Sequence, residues 1–214
     1  MVQCPSCAQV QEPRIVCAKC GAPIAARLDL FAALGIARRL VIETDSLERA
    51  YHDLGRRIHP DRFATSPAAV RDASMRATAL LTRAYRTLRD PVSRGLYWLE
   101  LNGHQLAENN KRVPPELAEL VFEVQEELAE LRNDGDGGEK AALLGGIEER
   151  RAELSRMMDE LKRELDDNFA TFDASGNEAG DPLFAELKSI LSKIAYLRTL
   201  IRDVGRELDS AKAA

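Results

Sequence analysis

Apolar residues recur along this chain at three- and four-residue steps, the period of amphipathic helices. Leu47, Ala50, Tyr51, Leu54 and Ile58 predict a helix over about 46–58, with Asp45 as N-cap and Glu48 in capping-box position. Val70, Ala73, Ala77, Leu80, Leu81, Ala84, Tyr85 and Leu88 predict a longer one over about 67–89, opened by Ser66 as N-cap and Pro67 at the first helical position. A short helix within 28–36 precedes them, with Phe31 and Leu34 facing a neighbour and Gly35 closing it. Another, opened by Asp90-Pro91, runs to about 102 on Leu96, Tyr97, Trp98, Leu99 and Leu101 and stops at Gly103. Gly55 sits inside the 46–58 helix at a cost of about 1 kcal/mol relative to alanine, for which the sequence offers no account beyond close approach of another helix.

A polar linker over 104–113 leads to three more amphipathic patterns. The first covers 115–132 on Leu117, Leu120, Val121, Val124, Leu128 and Leu131, with glutamates dominating the rest of its surface. The second covers 139–172 on Leu144, Ile147, Leu154, Met158, Leu161, Leu165 and Phe169 or Phe172. The third follows Asp181-Pro182 on Leu183, Leu187, Ile190, Leu191, Ile194, Leu197, Ile201, Val204 and Leu208. Gly- and Asp-rich stretches, 133–138 and 173–181, read as loops between them. Three such helices bury their stripes together as an antiparallel bundle. The expected class is therefore all-α: a helical hairpin over 28–103, a linker over 104–113 and a three-helix bundle over 114–214, behind a small segment 1–27.

The two hairpin helices meet at Arg56-Arg57-Ile58-His59-Pro60-Asp61-Arg62-Phe63. Pro60 cannot continue a helix, and the residue before a proline is pushed out of the helical region. His59-Pro60-Asp61 must then be the turn at the hairpin tip, and loops on rigid scaffolds commonly carry function. Arg49, His52 and Arg56 fall on one stripe of the helix before it, with Arg57 beside them. The net charge of the chain is −5, so this is a local basic patch on an acidic protein. Such a patch steers binding to an acidic partner surface, while bulk nucleic-acid binding is disfavoured. His59 has no nucleophile or carboxylate constellation beside it, and an exposed turn excludes no water, so no enzymatic role is expected.

Composition adds little against this picture. The charged fraction is 30% and the hydrophobic fraction 45%, which suits a soluble helical protein. No apolar run approaches the roughly 20 residues that a membrane helix needs. Cys4, Pro5 and Cys7 stand where a signal peptide would need an apolar core, so the expected location is cytoplasmic.

All four cysteines fall in the first twenty residues, as Cys4-Pro-Ser-Cys7 and Cys17-Ala-Lys-Cys20. Two thiolates three positions apart in a turn grip one ion, and a second pair completes a four-sulfur site suited to one structural zinc ion. Gly21 follows the second pair, where a knuckle often needs a permissive backbone. Segment 1–27 is too short to bury a core, so the metal would supply most of its folding energy. Iron and a redox-active CxxC remain open, although a redox pair would normally follow a strand in a βαβ unit.

The order of short helix, basic helix, His-Pro-Asp turn, long helix and short helix resembles the J-domain of DnaJ-type co-chaperones. The resemblance implies that Arg49, Arg56, Arg57, His59, Pro60, Asp61 and Arg62 engage a DnaK-type chaperone and stimulate its ATPase. More narrowly, the run from Ser93 to Gly103, and Arg62-Phe63-Ala64, resemble the HscB co-chaperones of iron-sulfur cluster assembly. The chain has neither the Gly/Phe-rich linker nor the cysteine-rich central repeat of general DnaJ-type proteins. Glu123-Val-Gln-Glu126-Glu127-Leu128-Ala-Glu130 is similar to a glutamate-rich run of the HscB family. It implies an IscU-type scaffold protein as a second partner, contacted by Leu117, Leu120, Phe122, Glu123, Glu126, Glu130 and Tyr196, beside an HscA- or DnaK-type chaperone. Read without the resemblance, the glutamates are a solvated face and Tyr196 packs in the bundle. Phe122 differs, because it falls off the apolar stripe and exposed aromatics often mark interfaces. A general DnaJ-type co-chaperone for unfolded clients is the alternative. A zinc-dependent nucleic-acid binder would have only Arg14, Lys19 and Arg27 for phosphate.

Overall fold

The computed structural model describes residues 1–106, 113–133, 137–176 and 180–213. Parts of the expected linker (107–112) and of the two expected bundle loops (134–136 and 177–179) lie outside the described residues. The chain divides into two compact units, Met1–Trp98 and Leu99–Ala214. The all-α expectation holds: the paired strands β1 (Val2–Gln3) and β2 (Val10–Gln11) are two residues each, and helices make up most of the rest.

The first unit holds β1, β2 and the helices α1 (Leu30–Leu34), α2 (Thr44–Ile58) and α3 (Ala68–Arg89); α4 (Pro91–Leu101) begins within it. Asp29 caps α1 by accepting the Ala32 amide at 2.8 Å. Burial raises its carboxyl pKa, but the amide donors and Arg38 outweigh that and hold it below its ordinary value. Gly35 closes α1 in the left-handed region at φ 68°, a conformation that favours glycine. Phe31 is fully buried between Tyr97 and Trp98, with ring centroids at 6.1 Å from each. The Tyr97 hydroxyl is used as well, accepting the Leu30 amide at 2.9 Å.

The hairpin core is built from Leu47 and Ile58 of α2 and Val70, Ala73, Ala77, Leu81, Ala84 and Leu88 of α3. Two helix starts differ from the sequence expectation. Glu43, not Asp45, occupies the N-cap of α2, because Thr44 is already helical and the Glu43 carbonyl accepts the amides of Ser46 and Leu47. Asp45 lies in the first turn instead, where a carboxylate faces the positive end of the helix dipole. Likewise Pro67, not Ser66, takes the cap of α3, since its carbonyl accepts the amides of Val70 and Arg71. A Cβ placed on Gly55 would lie 3.9 Å from Leu81 Cδ2, ordinary contact rather than a clash. The helix approach therefore does not require glycine. Gly55→Ala is expected to stabilise the protein by about 0.5–1 kcal/mol, read as a higher urea midpoint; an unchanged or lower midpoint would show that the contact is tighter than this.

The second unit contains α5 (Ala118–Asn133), preceded by a 3-10 turn over Pro115–Leu117, then α6 (Gly137–Ser175) and α7 (Asp181–Ala213). Its core takes Val124, Leu128 and Leu131 from α5, Ile147, Leu154, Leu165, Phe169 and Phe172 from α6, and Leu187, Ile194, Leu197, Val204 and Leu208 from α7. Phe184 rather than its neighbour Leu183 is buried. Its ring meets Phe172 at 5.0 Å and stacks on His104 at 4.1 Å, while Lys188 donates to Nδ1 of His104 at 3.2 Å. Among the described residues no helix is long and apolar enough to cross a membrane.

Candidate functional site

Three features carry chemistry: the cysteine knuckle, the hairpin tip and the exposed side of α5. The knuckle is two turns of one design. In the first, the Cys4 amide donates to the Gln9 carbonyl at 2.9 Å and Ala8 returns to the Cys4 carbonyl at 3.0 Å. In the second, the Cys17 amide donates to Ala22 at 2.8 Å and Gly21 returns to Cys17 at 3.0 Å. Each turn puts the residue after its second cysteine in the left-handed region, Gly21 at φ 72° and Ala8 at φ 58°. Only the first of these conformations comes without steric cost.

The two turns bring all four sulfurs within 4.8 Å of one another, with Cys4–Cys20 at 3.6 Å and Cys7–Cys17 at 3.8 Å. This set could hold a metal ion. The amide of Cys20, with help from Lys19, pulls the Cys17 thiol down to about 6 against the effect of burial. The Gln9 amide pulls on Cys7 in the same sense, but burial and the three neighbouring sulfurs outweigh it and push that thiol up to about 11. Behind the sulfurs Cys4, Cys17, Ala22 and Ile24 form a small buried cluster, and Ile15 and Val16 are buried as well. The knuckle lies against the hairpin, where Cys20 and Gly21 share a groove with Arg57, Arg62 and Phe63.

At the hairpin tip, α2 ends at Ile58 and His59 adopts extended angles (φ −56°, ψ 132°), as a residue before proline should. Pro60–Phe63 form one 3-10 turn. The Asp61 amide donates to Nδ1 of His59 at 3.3 Å, so the His59 side chain acts as the N-cap of this turn. The Asp61 side chain itself is 90% exposed. Arg62 folds back, donating to the Arg56 carbonyl at 3.3 Å. Arg49, His52, Arg56 and Arg57 are all exposed. Carboxylates of the same helix lie beside this stripe: Glu48 is 3.5 Å from His52, and Asp53 pairs with Arg56. Exposed pairs of this kind contribute about 0.2–1 kcal/mol, so a partner can displace them at little cost.

On α5, Phe122 is 64% exposed, an aromatic ring presented to solvent, and Glu123, Glu126 and Glu130 are exposed near it. Leu120 is half-buried, whereas Leu117 turns into the core. Arg150 of α6 gathers three carboxylates, Glu123 at 3.2 Å, Glu127 at 2.9 Å and Glu153 at 2.8 Å. Its hydrogen bond to Glu127 holds it protonated beyond its ordinary range. Lys193 of α7 reaches Glu116 at 3.9 Å. Tyr196, one turn further along α7, is half-buried, and burial together with Asp203 raises its phenol.

Against curated proteins, the chain is 34% identical over 140 residues to the HscB co-chaperone homologue of Aromatoleum aromaticum, spanning 65% of this chain and 77% of that protein. The chain belongs to the HscB co-chaperone family. The HscB homologue of Bordetella petrii is 31% identical over 159 residues, 74% of this chain and 90% of the relative. No family model matches the sequence. The crystal structure of human HscB superposes with a TM-score of 0.70 at 25% identity, covering 95% of this chain and 97% of the human one. HscB from Vibrio cholerae shares the fold, with a TM-score of 0.61 at 22% identity over 86% of this chain and 99% of that one.

Two residues of the HscB-like run acquire a physical role. Arg94, 7% exposed, donates to the Leu88 carbonyl at 2.8 Å and so caps α3, while Tyr97 ties α4 to α1. Sequence reading did not single out Ser74, a fully buried hydroxyl on the core face of α3, or Arg150. For Ser74 the signal was present: it stands four residues after Val70 and three before Ala77, inside the apolar stripe.

Proposed function

We propose that this HscB-family co-chaperone is a two-faced adaptor. One face, the hairpin tip with Arg49, Arg56, Arg57, His59, Pro60, Asp61 and Arg62, docks on an HscA- or DnaK-type chaperone and stimulates its ATPase. The other, on α5 and α7, holds an IscU-type iron-sulfur scaffold protein. Bringing the two together promotes cluster transfer to acceptor proteins, and the chain catalyses no bond chemistry itself. The parts are a zinc knuckle over 1–27, a J-domain over 28–103, a linker over 104–113 and a scaffold-binding bundle over 114–214, working in the cytoplasm.

The observation that carries this reading is the turn His59-Pro60-Asp61, fully formed by internal bonds yet presenting a carboxylate 90% open to solvent. Asp61 is free to accept hydrogen bonds from arginines or backbone amides of the chaperone, and charge-assisted bonds are the strong ones. Pro60 fixes the turn, and the exposed arginines of α2 give it an electrostatic approach. On the scaffold side Phe122 is the anchor, with Glu126 and Glu130 as an acidic rim for a basic partner surface. Zinc suits the knuckle, since Zn–S bonds of about 2.3 Å in a tetrahedron place sulfurs about 3.8 Å apart. The pairs at 3.6 and 3.8 Å match that spacing. Cys4, Cys7, Cys17 and Cys20 would hold the ion, whose contribution is structural.

The direct test measures ATP hydrolysis by an HscA- or DnaK-type chaperone with the purified protein, alone and with an IscU-type scaffold. Stimulation that rises further with scaffold is expected; no stimulation at all would reject the reading. The double substitution Phe122→Ala, Tyr196→Ala is expected to raise the scaffold Kd by about 30-fold, as loss of a hot spot of about 2 kcal/mol would. It should leave scaffold-free stimulation unchanged. Unaltered scaffold affinity by calorimetry would remove α5 and α7 as the face, and binding to unfolded polypeptides instead would favour a general DnaJ-type role.

A further inference from the structure

We infer that Ser74 is a positioning residue for the His59-Pro60-Asp61 turn, holding it through the carbonyl of Ile58. In an unbroken α-helix that carbonyl would accept the amide of Arg62, four residues on. Arg62 donates instead to His59, at 3.1 Å, because the chain tightens into the 3-10 turn. The Ile58 carbonyl is thereby orphaned at the end of α2, on a residue that is itself fully buried. An unpartnered carbonyl away from water is costly. Ser74 Oγ donates to it at 2.6 Å, and Thr78 Oγ1 approaches the same oxygen at 3.5 Å.

The placement of Ser74 is not what helix physics alone would choose. A mid-helix serine usually faces water or bonds back to the carbonyl four residues earlier in its own helix. This one is fully buried among the apolar side chains of α3 and reaches 16 residues back to the other arm of the hairpin. Alanine would fit that face, but it would not hold the carbonyl that immediately precedes His59. The further side-chain tethers of α2's end are longer: Thr78 reaches the same oxygen at 3.5 Å, and Arg62, exposed, reaches the Arg56 carbonyl at 3.3 Å. Ser74 is thus the buried pin about which the turn is set.

Ser74 bears on activity only if the turn engages a chaperone as proposed above. A turn released from its pin samples other arrangements, and apparent affinity falls by the fraction that stays competent. In a chaperone ATPase titration, Ser74→Ala is expected to raise the half-maximal concentration about threefold, and Ser74→Ala with Thr78→Val about tenfold, with the ceiling rate unchanged. Amide hydrogen exchange over residues 59–62 should accelerate in both, while exchange in α5–α7 and helical circular dichroism stay constant. Met75→Ala, at an exposed neighbouring position, should change none of these. If wild type stimulates and the double variant titrates like it, or if any loss merely tracks the unfolded fraction, Ser74 is not a positioning residue. If wild type does not stimulate, the functional reading falls, and unchanged exchange at 59–62 would independently overturn the pin.

Discussion

Asp61→Ala is expected to bring stimulation of an HscA- or DnaK-type ATPase down to the basal rate while leaving the fold and scaffold affinity intact. The expectation follows from how little Asp61 does for its own chain. Its carboxylate is 90% exposed, and its nearest protein partner, Nδ1 of His59, lies 3.6 Å away. An exposed pair of that kind is worth about 0–1 kcal/mol at most. The bond that shapes the turn runs from the Asp61 amide to His59, and the backbone amide survives the substitution. A group with so small a structural role can affect stimulation strongly only through the partner. Thermal unfolding should therefore be nearly unchanged, as for most surface substitutions, within about 0.5 kcal/mol. Equal stimulation by wild type and Asp61→Ala would remove the turn from the mechanism. A large drop in stability would show that Asp61 holds the fold in a way its surroundings do not suggest.

The sequence made the architecture legible where a single physical rule operates. Helices with long apolar stripes were readable because their period is unmistakable and no competing pattern interrupts them, and Pro60 left the turn no other place. The glycines at positions 21 and 35 were readable because each ends or follows a tight turn, and both adopt positive φ. The ends of helices were harder. Asp45 and Ser66 are good caps by residue type, but the cap is set by whichever carbonyl accepts the first amides, and Glu43 and Pro67 took that place. Leu183 and Phe184 are neighbours in sequence, and only contacts with His104 and Phe172 decide which is buried. Of the site, the exposure of Phe122 could be foreseen from its being off the stripe. Ser74 could not be assigned a role, since a carbonyl orphaned by a turn is visible only once the turn is built. Nor could sequence tell that Glu123 and Glu127 share Arg150, from a helix more than twenty residues away.

If Cys4, Cys7, Cys17 and Cys20 hold zinc as proposed, removing it is expected to unfold segment 1–27 and leave the helices standing. The buried cluster of the knuckle consists of Cys4, Cys17, Ala22 and Ile24, with Val2, Cys7 and Ala26 packed on it, and two of its four buried members are cysteines of the proposed zinc site. Two-residue strands and a few turn hydrogen bonds cannot offset the entropy of ordering the segment. A structural zinc ion contributes apparent binding energies of about 10–16 kcal/mol in comparable small sites, which exceeds the rest by a wide margin. Cys17→Ser, or a strong chelator applied to the full chain, should release one zinc per molecule and free the backbone at Arg14 and Lys19, whose side chains are already exposed, for cleavage by trypsin. Far-ultraviolet circular dichroism from α2–α7 should change little. Protons compete for the same sulfurs: the Cys7 thiol, pushed up to about 11, must give up its proton when the ion binds. Zinc affinity should accordingly fall as pH falls, and loading at neutral pH should release protons measurable by calorimetry in buffers of different ionisation enthalpy. A protein that contains no zinc under reducing conditions, or that resists trypsin at Arg14 and Lys19 after chelation, would show that the hairpin alone holds the knuckle in place.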